Sequence, residues 1–238
     1  MQFPILFQRT LPIAVTAISI IVVAYSALSR TIDWFHFWGS TEAGIVEIGT
    51  VLLAFIGIYL SFRNFRERKN IPHPLFGVYM LLFMFGFFYI AMEETSYGQH
   101  LLGWETPNWL AAANLQEETN LHNLFDKKID RIPKAILGAL IVIGGLLIPL
   151  YLKIWGKAAV GSGSFDIYRP NDSTIIVALC FLIVWLLGRG LVIADIHELI
   201  GLKLHFSEVR ELLITYFLVL YTWEFRRFSR TVTAEATA

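Results

Sequence analysis

The chain predicts an all-α, polytopic membrane protein with about six transmembrane helices and short interfacial helices on its outer face. Three observations predict it. Of the 238 residues, 56% are hydrophobic and only 16% charged, against about 25% charged in a soluble domain. Six apolar stretches each approach the roughly 20 residues that a helix needs to cross a bilayer core. Lysine and arginine gather on every second connection, the bias that orients such helices.

The six stretches are residues 11–28, 43–62, 74–92, 135–152, 173–194 and 207–225. The first is charge-free between Thr10 and Ser29, lacks a small-residue cleavage site, and reads as a retained helix rather than a signal peptide. Three stretches carry charge at membrane depth: Glu47 in the second, Arg189 in the fifth, and Glu208, Arg210 and Glu211 in the first turns of the sixth. Ionisable groups there are costly and face the bundle interior or a partner. Gly138, Ala139, Gly144 and Gly145 in the fourth stretch suit close helix contacts in lipid.

Arg9, the Arg63–Lys69 run, Lys153, Lys157, Arg169, Arg226, Arg227 and Arg230 share one side if both termini are cytoplasmic. The expected location is therefore integral to an inner (plasma) membrane, with the N- and C-termini on the cytoplasmic side. Most acids and five of six histidines then fall outside: His36, His100, His122, His197 and His205. Lys/Arg retention accounts for acids on exposed loops. It does not account for the histidines or for carboxylates at membrane depth.

Residues 1–230 read as one transmembrane domain and 231–238 as a disordered tail. The longest outer connection, residues 93–134, lacks linker composition and carries Trp104, Trp109, Leu110, Leu121 and Phe125. It reads as one or two short helices forming an interfacial lid, with tryptophan at headgroup level. The aromatic segment with Trp34, Phe35, Phe37 and Trp38 is expected to rest on the interface too. Nineteen basic residues balance nineteen acidic ones, so nucleic acid is not an expected partner; membrane lipids are. The single cysteine, Cys180, excludes an intrachain disulfide and any multi-cysteine metal site.

Three polar constellations stand out. Glu93, Glu94, Thr95, Ser96, Tyr97, Gly98, Gln99 and His100 follow one another at the outer end of the third stretch, where a helix end also collects capping groups. Glu118 and His122, at i and i+4 if helical, share a face and suit two ligands to one ion, with Asn120 or Asn123 behind them. Ordinary surface helices show that pair often. Glu208 and Glu211, at i and i+3, follow Asp195, His197, Glu198 and His205; a structural ion pair with Arg189 is the plain alternative. No H-E-x-x-H, G-x-S-x-G, P-loop or G-x-G-x-x-G is present.

The first two constellations together resemble an uncharacterised family of bacterial multi-pass membrane proteins that carry E-E-x-S-[W/Y]-G-Q followed by N-x-Q-x-E-x-N-x-H-N. Here the motifs read Glu93 to Gln99 and Asn114 to Asn123. The resemblance covers about 30 residues, implies no activity, and picks out Glu94, Ser96, Gln99, Gln116, Glu118, Asn120 and His122. Ser96 and His100 also mimic part of the zinc set of the seven-span hydrolases that include alkaline ceramidases. Six stretches, with no histidine pair on the last, argue against that kinship.

The expectation is a membrane enzyme acting on a lipid or lipid-linked substrate at the outer leaflet. Glu94, Glu118, His122, Glu208 and Glu211 would ligate a divalent metal (zinc, manganese or iron). Glu93 and Glu94 would do acid/base work, with Ser96, Gln99 and Asn120 orienting substrate. A transporter, lined by Glu47, Arg189, Glu208 and Glu211, and a non-catalytic scaffold or sensor are the alternatives. An enzyme requires these groups to converge, a transporter a polar track, and a scaffold scattered, locally satisfied side chains.

Overall fold

A computed structural model describes residues 6–29, 37–38, 44–71, 73–112, 119–120, 128–155, 170, 172–193 and 206–236. All regular structure among them is helical. A π turn, Leu6–Thr10, leads into α1, Leu11–Ser29. Helix α2 is Ile45–Arg66 and α3 is Phe76–Glu94, followed by two single turns, α4 (Gln99–Leu102) and α5 (Asn108–Ala111). Helix α6, Lys128–Val142, passes through a π segment, Ile143–Leu147, into α7, Ile148–Trp155. Helices α8, Asp172–Ile193, and α9, Ser207–Ala236, complete the chain.

Five stretches are long and apolar enough to cross a membrane: Leu6–Ser26, Ile45–Arg66, Phe76–Glu94, Ile132–Trp155 and Thr174–Ile193. Their outer faces carry exposed Ile13, Ile21, Leu52, Phe55, Leu82, Phe85, Leu140, Ile154 and Leu186. So large an apolar surface belongs in lipid.

The expected sixth span is helical but differs in kind. Glu208, Arg210, Glu211 and Glu224 keep α9 below the apolar composition of the other five. Yet Val209, Leu212, Leu213, Ile214, Tyr216, Phe217, Val219, Leu220, Tyr221 and Phe225 are all buried. Among the described residues, no large apolar side chain of α9 is exposed. Helix α9 is therefore the post around which the others pack. Its surroundings are protein rather than lipid, so its charges meet polar partners instead of acyl chains. It also runs on to Ala236, past Arg230, where the sequence predicts an irregular tail.

Packing sets the direction of each neighbour. The side-chain amide of Asn64 donates to the Thr222 carbonyl at 2.8 Å, and Gly49 abuts Leu212, so α2 and α9 run parallel. Phe76 meets Phe225 while Phe83 meets Tyr221, so α3 runs the other way. At the N-terminus, Phe7 stacks on Tyr216, whose hydroxyl donates to the Phe7 carbonyl. Trp38 folds onto the bundle, donating its indole N–H to Ser19 Oγ at 2.8 Å, while Phe37 stays exposed. The hydroxyls of Thr16, Thr50, Thr215 and Thr222 bond to carbonyls one turn back in their own helices. They form no polar track along the bundle axis.

The small residues of the fourth span admit neighbouring rings. A methyl at Gly145 would overlap the Phe217 ring, and one at Gly138 would come within 2.9 Å of Phe181. Gly145 lies in the π segment, whose irregular turn offers this close face. Gly145→Val should lower stability by about 1–3 kcal/mol, the usual cost of overpacking. Combining it with Phe217→Leu should recover part of the loss. Thermal unfolding of the detergent-purified variants checks both.

Candidate carboxylate site

One end of the bundle gathers the start of α2, the end of α3, the start of α6 and the start of α9. The sequence puts an acid or a base at each of these points. Glu208 and Glu211, three residues apart, project from one face of α9. Glu94 is the last residue of α3. One carboxylate oxygen from each of Glu94, Glu208 and Glu211 lies within 4.8 Å of the other two. Glu94 is within hydrogen-bonding reach of Glu211 and feels the charges of Glu208 and, from α2, Glu47. Lys134 Nζ, at the start of the fourth span, lies 2.8 Å from Glu211 Oε1. Ser207 Oγ donates to Glu208 Oε1 at 3.3 Å. The three glutamates are half-buried.

Adjacent residues on a helix point about 100° apart, and Glu93 accordingly turns away from this group. It is buried and accepts a hydrogen bond from the Tyr97 hydroxyl at 2.7 Å. Burial, then the Glu93 bond and charge, hold the Tyr97 phenol above its ordinary range, so it stays a donor. The turn that permits this is unusual. Ser96 and Tyr97 have φ of 45° and 55°, and Gly98 follows at 89°. Two successive non-glycine residues in the left-handed region cost on the order of 1–3 kcal/mol each and persist only where surrounding contacts hold them.

Those contacts come from the long connection. Asn120, buried, donates its amide to Ser96 Oγ at 3.3 Å. Gln99 uses both ends of its amide: Nε2 donates to Thr106 Oγ1 at 2.9 Å, and Oε1 accepts from the Thr119 backbone N–H at 2.6 Å. Thr119 Oγ1 also lies 3.1 Å from Thr106 Oγ1 and accepts from the Trp104 indole at 3.2 Å. The first motif thus clasps the middle of the second, and the connection folds back over the end of α3.

Of the five expected metal ligands, Glu94, Glu208 and Glu211 come together; Glu118 and His122 lie outside the described residues, as does Gln116. Of the expected acid/base and orienting groups, Glu94 joins the carboxylates, whereas Glu93, Ser96 and Asn120 form the adjoining turn. Gln99 serves as the clasp. Arg189, an expected partner of Glu211, is exposed on α8, and Lys134 takes that place. Sequence reasoning does not single out Lys134, because it sits in a stretch where acidic and basic residues alternate. Its position within an amphipathic helix is the one available signal.

The three described ligands offer oxygen alone. That donor set suits manganese or magnesium, among hard cations, better than zinc, whose expectation rests on the His122 imidazole. Octahedral coordination at about 2.1 Å places ligand oxygens roughly 3–4 Å apart. A spread of 4.8 Å therefore asks for a closure of under about 2 Å, within reach of glutamate rotamers. Glu211 can serve Lys134 with one oxygen and an ion with the other. No protein-family model, curated protein or solved structure matches this chain.

Proposed function

We propose that this protein is a membrane-embedded, metal-dependent enzyme acting on a lipid or lipid-linked ester at the outer leaflet. The observation that carries the reading is the convergence of Glu94, Glu208 and Glu211 from two helices far apart in sequence, beside a strained turn held by motif residues. Three carboxylate oxygens this close together offer a ready ligand set for a divalent cation. Glu94, Glu208 and Glu211 would hold the ion, which when bound polarises an ester or phosphate oxygen and activates water. In hydrolysis, the water oxygen adds to the acyl carbon or phosphorus. The ester bond then breaks with its electron pair on the leaving oxygen, and the proton that the attacking water gives up passes to that oxygen. Ser96 and Asn120, buried and hydrogen-bonded to each other, would act by holding the turn beside the carboxylates. The basic residues at the opposite end of the α2–α3 pair support the outer side.

The Lys134–Glu211 ion pair favours a second reading, an ion or proton transporter, because an ammonium already answers part of the charge without metal. Against it, the hydroxyls of Thr50, Thr215 and Thr222, deeper in the bundle, bond to carbonyls of their own helices.

The test is turnover. Protein reconstituted in vesicles holding a mixed panel of phospholipids and polyprenyl phosphate esters is incubated with manganese or with chelator. Products are followed by mass spectrometry. The enzyme reading expects a product that needs metal and falls to background in Glu208→Gln. Ion flux without any product would replace it with the transporter, and neither would leave a scaffold.

A further inference from the structure

At the opposite end of the α2–α3 pair a cleft of about 530 Å³ is lined by Phe65, Arg68, Lys69, His73, Val78 and Leu81, among others. That volume falls in the range of small-molecule sites. Its two walls differ in chemistry. One carries the basic turn after α2, where Arg63, Arg66, Arg68 and Lys69 face a single acid, Glu67, which pairs with Arg63 at 3.6 Å. The other is the apolar first two turns of α3, with Val78 exposed.

Arg68 is set in place rather than left to sample solvent. Its Nη1 donates to the Phe65 carbonyl at 2.8 Å, and its guanidinium lies over the Phe65 ring at 4.0 Å. Gly77 makes this possible, because a Cβ there would stand 2.9 Å from Arg68 Cδ. Topology alone asks only for basic residues on this connection. It does not ask for an oriented guanidinium over a cleft that continues onto lipid-facing side chains.

We infer that this cleft binds one anionic phospholipid, its phosphate on Arg68 and Lys69 and the start of an acyl chain along Val78 and Leu81. Charge complementarity selects the headgroup, and the apolar wall selects a lipid over a free phosphate. The site is separate from the carboxylate cluster, so its fate does not depend on the enzyme reading.

Native mass spectrometry of the full-length protein from detergent tests it, with phosphatidylglycerol, phosphatidylcholine and water-soluble glycerol 3-phosphate as probes. The expected result is one retained phosphatidylglycerol and little phosphatidylcholine. Retention should weaken roughly thirtyfold in Arg68→Gln/Lys69→Gln, from the loss of two basic side chains. Gly77→Leu should also abolish retention, because it fills the cleft while keeping every charge. Arg9→Gln, a basic residue elsewhere, should leave it unchanged. Equal retention of both lipids, retention unaffected by either cleft variant, or displacement by glycerol 3-phosphate at lipid-like concentration would overturn the assignment. If the double variant fails to fold, Gly77→Leu decides the question alone.

Discussion

Glu94→Gln should make the metal-free protein more stable while removing its response to manganese. Glu94 shares its surroundings with Glu208, Glu211 and Glu47, and like charges in close contact repel even where water screens them. Glutamine keeps the shape and donates a permanent hydrogen bond to Glu211, a contact that two carboxylates make only by taking up a proton. The expected gain is about 1 kcal/mol, the scale of one close charge pair at high dielectric, visible as a melting temperature raised by a few degrees. In the wild type, manganese at a hundred times its dissociation constant adds about 2.7 kcal/mol. The variant should lose most of that, because three ligands become two. This opposition of signs marks a site kept for binding rather than stability. A purely structural Glu94 would give the reverse: lower stability in the variant and no manganese response in either protein.

Lys134→Met should be destabilising without metal and much less so with it. Lys134 is the basic partner of Glu211 at 2.8 Å, with side chains 33% and 17% exposed. Removing it leaves a half-buried carboxylate among other carboxylates. Breaking a fully buried pair costs about 3–5 kcal/mol; partial exposure reduces this to about 1–3 kcal/mol. Manganese should restore most of the loss, since the ion supplies the missing positive charge. Lys134→Met/Glu211→Gln should also be more stable than the sum of the single changes implies, a coupling that a double-mutant cycle measures. Equal destabilisation with and without manganese would assign Lys134 a structural role alone.

Five of the spans are legible in the sequence because lipid-facing helices are apolar along their whole length, and their edges fall within a few residues of those expected. The last helix shows the limit of that reasoning. Its 207–225 segment looks like a weakened span, but its charges signal enclosure by other helices, which Phe217, Tyr221 and Phe225 reveal only by what they touch. Glu208 and Glu211 are readable as a pair because their spacing shares a helix face. Their meeting with Glu94 is expected only from their placement at the same bundle end. Glu93 and Glu94, adjacent in sequence, look like one acidic pair, yet helix geometry sends them to different neighbours. The clasp formed by Gln99, Thr106 and Thr119 depends on a fold-back of the connection that no periodicity encodes. The pairing of Ser96 with Asn120 joins the two motifs at a point where the sequence can only set them side by side.

Manganese binding by detergent-purified protein, followed by electron paramagnetic resonance during titration, bears most directly on the carboxylate site. The wild-type chain should remove one manganese ion per molecule from the free, six-line signal, and Glu94→Gln and Glu208→Gln should each abolish this at the same concentration. A wild type that leaves the free-ion signal untouched at millimolar manganese, or variants that bind as the wild type does, would contradict a metal site built from these three glutamates.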